Sequence, residues 1–82
     1  MIHEADHRLR DTWGARFKGL PDDSKWALYH ALMDLREDAL RRADYCWRKH
    51  KAPMALYWKV VGVYAGHLAR AVRPRKLVSV AA

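Results

Sequence analysis

Residues His3-Glu4-Ala5-Asp6-His7 carry the spacing of a zinc-peptidase motif. In H-E-x-x-H the two histidines share one helical face and hold the metal, while the glutamate activates a water. That chemistry also needs a third ligand from a following helix, a sheet edge to hold the peptide and a second domain to form a cleft. Nothing further along the chain supplies these parts. The pentapeptide therefore reads as a solvated helical turn in which Glu4 and Asp6 complement the positive end of the helix dipole, and no metal ligand is assigned.

No nucleophile constellation emerges either. Cys46 falls on an apolar helical stripe and reads as a small core residue. His30 and His67 fall on polar or boundary sides and read as solvated. There is no glycine-rich phosphate loop, and Gly62 and Gly66 are better explained by helix packing. The expectation is a protein without enzymatic activity and without a cofactor.

Charge is the next candidate for chemistry. All nine acids lie in the first forty-four residues, and the rest of the chain is purely basic, which accounts for the formal charge of +7. The cations Arg48, Lys49, Lys51, Arg70, Arg73, Arg75 and Lys76 are the candidate binders of a charged partner, since a basic patch beside aromatics is the electrostatic footprint of nucleic-acid binding. Part of the pattern is capping, because cations are favoured in the last turn of a helix by about 0.3–1 kcal/mol each. The cations also form two groups at opposite ends of the last helix, about 30 Å apart at 1.5 Å per residue. No helix presents a row of long polar side chains suited to a DNA groove.

The third candidate is aromatic. Trp26, Tyr29, Met33, Leu40 and Trp47 recur at helical spacing beside a first stripe of Leu28, Leu32, Leu35, Ala39, Ala43 and Cys46. Together they span about half of the helix circumference, whereas one packing seam needs an arc of about 100°. The second stripe serves either as core against the first helix or as a partner interface, where Trp, Tyr and Met are enriched.

Three helices position these residues. The first covers about 2–18, with Ile2, Ala5, Leu9, Trp13 and Phe17 on one face; Gly19 reads as a left-handed terminator and Pro21 blocks continuation. The second covers about 22–50, opened by Pro21 and capped by Asp22, Asp23 or Ser24. The third covers about 53–73, with Pro53 in its first turn and Pro74 at its end. Its core face is read as Met54, Tyr57, Trp58, Val61, Tyr64, Ala65, Leu68 and Val72, with a strip of small residues, Ala55, Gly62, Gly66 and Ala69, beside it. The short link around His50 makes the second and third helices antiparallel neighbours. Residues 1–74 form one domain and 75–82 a basic, then apolar, tail.

Eighty-two residues allow a single small core, and such cores supply only about 3–5 kcal/mol net. At 51% hydrophobic with four Trp and four Tyr, the chain holds more apolar material than three helices readily hide. The single cysteine precludes an internal disulfide, no signal peptide is visible, and the longest apolar run is too short for a membrane span, so a cytoplasmic protein is expected. The fold class is all-α: a three-helix unit on a long antiparallel hairpin, with surface that suits a dimer or a larger target. The profile is that of phage and mobile-element proteins that bind and inhibit or redirect a host protein or nucleoprotein complex, anti-CRISPR inhibitors among them. A small basic DNA- or RNA-binding regulator is the alternative.

Overall fold

The computed structural model describes residues 4–74, with side chains from residue 7 onward. It is all-helical: α1 spans Glu4–Phe17, α2 spans Asp22–Arg48 and α3 spans Ala52–Val72. The long antiparallel hairpin of α2 and α3 is the main body, and α1 packs on α3 while barely touching α2. Gly14 of α1 faces the carbonyl of Ala71, 3.8 Å from where a Cβ would sit, an ordinary contact distance that leaves room for a methyl group. The tail, including Arg75 and Lys76, and the N-terminal His3 lie outside the described residues.

The hairpin seam is made of small side chains. Ala39 on α2 is completely buried, and Ala55, Gly62, Ala65, Gly66 and Ala69 are buried on α3. The largest fully buried side chain is that of Val72. A Cβ built on Gly62 would stand 2.8 Å from Leu40 Cδ2 and 3.5 Å from the Arg36 carbonyl oxygen. The two backbones are therefore nearly in contact at that level, with Leu40 folded over the glycine.

This corrects part of the sequence-based face assignment of α3. The strip of small residues is a packing face; of the expected core face Ala65 and Val72 are buried and Trp58, Val61 and Leu68 half-buried, but the larger side chains at its rim are not. Met54 is 46% and Tyr57 56% exposed, and Tyr64 is also exposed. The physical reason is the close approach: helices that touch along alanine and glycine leave no volume for aromatic rings between them. Trp58 and Leu68 are half-buried, and the Arg42 guanidinium lies 4.9 Å from the Trp58 ring centroid, a cation–π contact across the hairpin.

The helix ends also differ from expectation. Pro21 is the N-cap of α2 and no side chain caps that end; Asp22 and Asp23 act only through the dipole. No glycine has positive φ, so Gly19 is not a left-handed stop, and α1 ends instead in tight turns from Ala15 to Lys18 and Phe17 to Leu20. The left-handed position is His50, at φ 61°. Its N–H donates to the Trp47 carbonyl and that of Lys51 to the Cys46 carbonyl, at 3.0 and 2.8 Å. That pair of bonds is a Schellman cap, normally closed by glycine.

Substitutions at three positions test this packing and the turn by urea denaturation. Gly62→Leu is expected to lose about 1–3 kcal/mol through overpacking against Leu40 and Arg36. Gly14→Ala, with open contact distance to α3, is expected to gain up to about 1 kcal/mol of helix propensity. His50→Gly is expected to gain about 1 kcal/mol by relieving the left-handed conformation, and His50→Val to lose stability. A neutral Gly62→Leu would show that the seam is looser than described.

Candidate functional site

The cations and aromatics singled out from the sequence fall into two separate sites at opposite ends of the hairpin. At one end, Trp26, Tyr29 and His30 in the first turns of α2 form a ring cluster. Trp26 meets Tyr29 edge-on at 5.5 Å and stacks on His30 at 5.8 Å. Arg73, just beyond α3, lies 5.9 Å from the Tyr29 ring and ties the end of α3 to the start of α2. Trp26 and Tyr29 are half-buried in this arrangement. Arg70 is exposed one turn before Arg73.

At the other end, next to the turn, an open groove of about 510 Å³ runs between the two helices. Leu40, Ala43 and Trp47 contribute from α2, and Ala52, Ala55 and Leu56 from α3, with Asp44 and Lys59 at its polar edge. Its shape follows from residue size: alanines lie between two large side chains. Trp47 is 67% and Leu56 64% exposed, so both walls present their apolar surface to solvent. Arg48, Lys49 and Lys51 surround the turn just beyond, all exposed.

Trp26, Met33, Leu40 and Trp47 follow one another at intervals of seven, a row that drifts only about 20° per step along a straight helix. They share a face of α2 but not a single site. Trp26 and Trp47 are about 31 Å apart along the axis. Half-buried Met33 lies between them, and Leu40 is occupied with Gly62 as well as forming the groove wall. α1 packs mainly on α3 and barely touches α2. On α3 the neighbouring exposed residues are Leu56, Val60 and Val63, the last two 45% and 44% exposed. These α3 residues were not singled out from the sequence as a partner surface. Their one legible signal was that the outer face of α3 is only partly polar.

Charge is distributed unevenly around this surface. The acids Glu37, Asp38 and Asp44 of α2 pair with Arg41, Arg42 and Arg48 one turn on, at 4.0, 2.8 and 3.1 Å. Such exposed pairs contribute only about 0.3–0.5 kcal/mol each. They nevertheless neutralise the acidic side of α2 locally. No acid occurs in α3, and Lys51, Lys59 and Arg70 make no ion pair among the described residues.

The histidines and cysteine add no reactive constellation. His7 accepts a 3.3 Å hydrogen bond at Nδ1 from Arg10, a cationic neighbour that opposes metal binding there. Among the described residues no group of three or more His, Cys, Asp or Glu side chains is placed to hold a metal ion. Cys46 is half-buried on α2. His67, expected to be solvated, is 5% exposed and edge-on to Tyr64 at 5.7 Å. It lies one turn before Ala71, where α1 adds its cover to α3. No described helix is long and apolar enough to cross a membrane. Comparison with protein-family models, curated proteins and solved structures found no match for this chain.

The groove wall and the seam should separate in a stability measurement. Trp47→Ala is expected to change unfolding free energy by no more than about 0.5 kcal/mol, as for an exposed position. Leu40→Ala, which strips the cover from Gly62, is expected to cost about 2 kcal/mol or more. Urea midpoints in the opposite order would make Trp47 a core residue rather than an exposed groove wall.

Proposed function

We propose that this protein is a small non-enzymatic interaction protein, of the kind encoded by phages and mobile elements, that binds a host protein or nucleoprotein complex and inhibits or redirects it. The observation that carries the reading is the inversion of side-chain size between core and surface. Apart from His67, the buried positions of the helices hold alanine, glycine and valine, while Trp47, Leu56, Tyr57, Val60 and Val63 are exposed. Large apolar side chains left in water on a chain with so thin a core are best accounted for by a partner that covers them. Tryptophan in particular carries a large share of binding energy when a partner desolvates it. Anti-CRISPR inhibitors are one group with this profile, since their nucleoprotein targets reward both aromatic anchors and positive charge.

The alternative is a small DNA- or RNA-binding regulator, supported by the cations Arg48, Lys49 and Lys51 at the turn. Phosphate contacts weaken steeply as salt rises, because binding releases condensed counterions. A contact anchored on Trp47 does not depend on salt in that way.

The test is affinity capture from bacterial lysate with and without nuclease, washed at low and high salt. The expected result is a protein partner retained at high salt by the wild type and lost with Trp47→Ala. Recovery that disappears with nuclease, or identical partners for wild type and Trp47→Ala, would overturn the reading.

A further inference from the structure

We propose that the groove beside the turn, continued along the exposed side of α3, docks an acidic amphipathic helix of the partner protein. This deepens the partner-binding reading and rests on it. The apolar side chains of such a helix would seat between Trp47 and Leu56 and along Val60 and Val63, and its carboxylates would face Lys51, Lys59 and Arg70.

Three observations select this occupant. The first is charge. The acids of α2 nearest the groove are already paired with arginines of the same helix, Asp44 with Arg48 at 3.1 Å and Glu37 with Arg41 at 4.0 Å. The lysines on the α3 side and at the turn have no such partner among the described residues, and α3 contains no acid. The unbalanced charge next to the apolar groove is therefore positive, and complementarity calls for a negative partner.

The second is backbone chemistry. Both walls are α-helices whose main-chain groups bond internally, so this face offers no strand edge to a bound segment. A segment lying in an apolar groove must satisfy its own N–H and C=O groups, which a helix does. The third is extent. From Ala52 in the groove to exposed Val63 the open surface of α3 is about 17 Å long at 1.5 Å per residue, which matches about three turns of a docked helix.

The same observations disfavour the other occupants. A second copy would bring another +7 and an α3 equally devoid of acid. A nucleic-acid backbone would satisfy the lysines but leave Trp47 and Leu56 in water.

The experiment uses the isotopically labelled full chain and follows its backbone amide and indole resonances by NMR. The probe is a blocked Leu/Glu amphipathic peptide of about five turns, compared with its Leu/Lys counterpart. Parallel arms use phosphatidylglycerol vesicles and a short DNA duplex, and sedimentation equilibrium follows self-association. The expected result is saturable shifts at Leu40, Trp47, Leu56, Lys59 and Val63 with the acidic peptide, and none at Trp26 or Tyr29. The double variant Lys51→Glu/Lys59→Glu, whose fold is checked by circular dichroism, is expected to weaken that peptide by about tenfold or more. Leu56→Glu serves as a second variant directed at the apolar wall and is expected to abolish the shifts.

Absence of saturable shifts with the acidic peptide, equal shifts with the basic one, or binding unchanged in the double variant would overturn the proposal. So would vesicles, duplex or a second copy of the chain occupying the same residues in its place. Failure here with Trp47-dependent capture intact would sink the acidic-helix chemistry and leave partner binding standing. Peptide binding without any captured partner would do the reverse.

Discussion

The structure depends on the close approach of α2 and α3 where Leu40 folds over Gly62. At that point a single added carbon on α3 would meet the Leu40 side chain at 2.8 Å. Close-packed backbones gain many weak dispersion contacts without large buried side chains, because each carbon pair adds only about 0.1–0.2 kcal/mol and the pairs are numerous. Alanine and glycine thus hold the closest part of the hairpin seam, and the aromatic rings lie beside it rather than between the two backbones. Everything on the outer surface follows from that exclusion.

The turn that allows this approach is equally tight. His50 takes a left-handed conformation so that the N–H groups of His50 and Lys51 can close the end of α2, and α3 starts at Ala52 after only three residues, with Pro53 in its first turn. A turn this short brings the last turn of α2 beside the first turn of α3. It therefore sets Trp47 opposite Leu56 and gathers Arg48, Lys49 and Lys51 at one end. The groove is a consequence of the turn geometry plus the small alanines between its two large walls.

Electrostatics then divides the hairpin. Pairs one turn apart neutralise Glu37, Asp38 and Asp44 of α2, while the cations of α3 have no acid in their own helix. The acid-to-base order along the chain is in part a capping pattern, from Asp22 and Asp23 at the start of α2 to Arg48 at its end. Capping does not account for Lys59, which sits in the middle of α3 at the edge of the groove. That residue is where helix-dipole reasoning ends and partner chemistry begins.

The sequence by itself determined the three helices, their approximate limits and the antiparallel hairpin, because 3.6-residue apolar periodicity and proline punctuation are local signals. It also marked Trp47 and the turn cations as candidates. Tertiary structure decided which face of α3 is inside. The large-residue stripe and the small-residue strip lie side by side on the helical wheel, and each is a legitimate packing face. The choice turns on how closely α2 approaches, which depends on Leu40, Arg36 and Gly62 meeting across the seam rather than on any one helix. The placement of α1 mainly on α3, the burial of His67 and the joining of Leu56 to Trp47 were hidden for the same reason: each is set by residues distant in the chain, whose mutual fit has no periodicity to read.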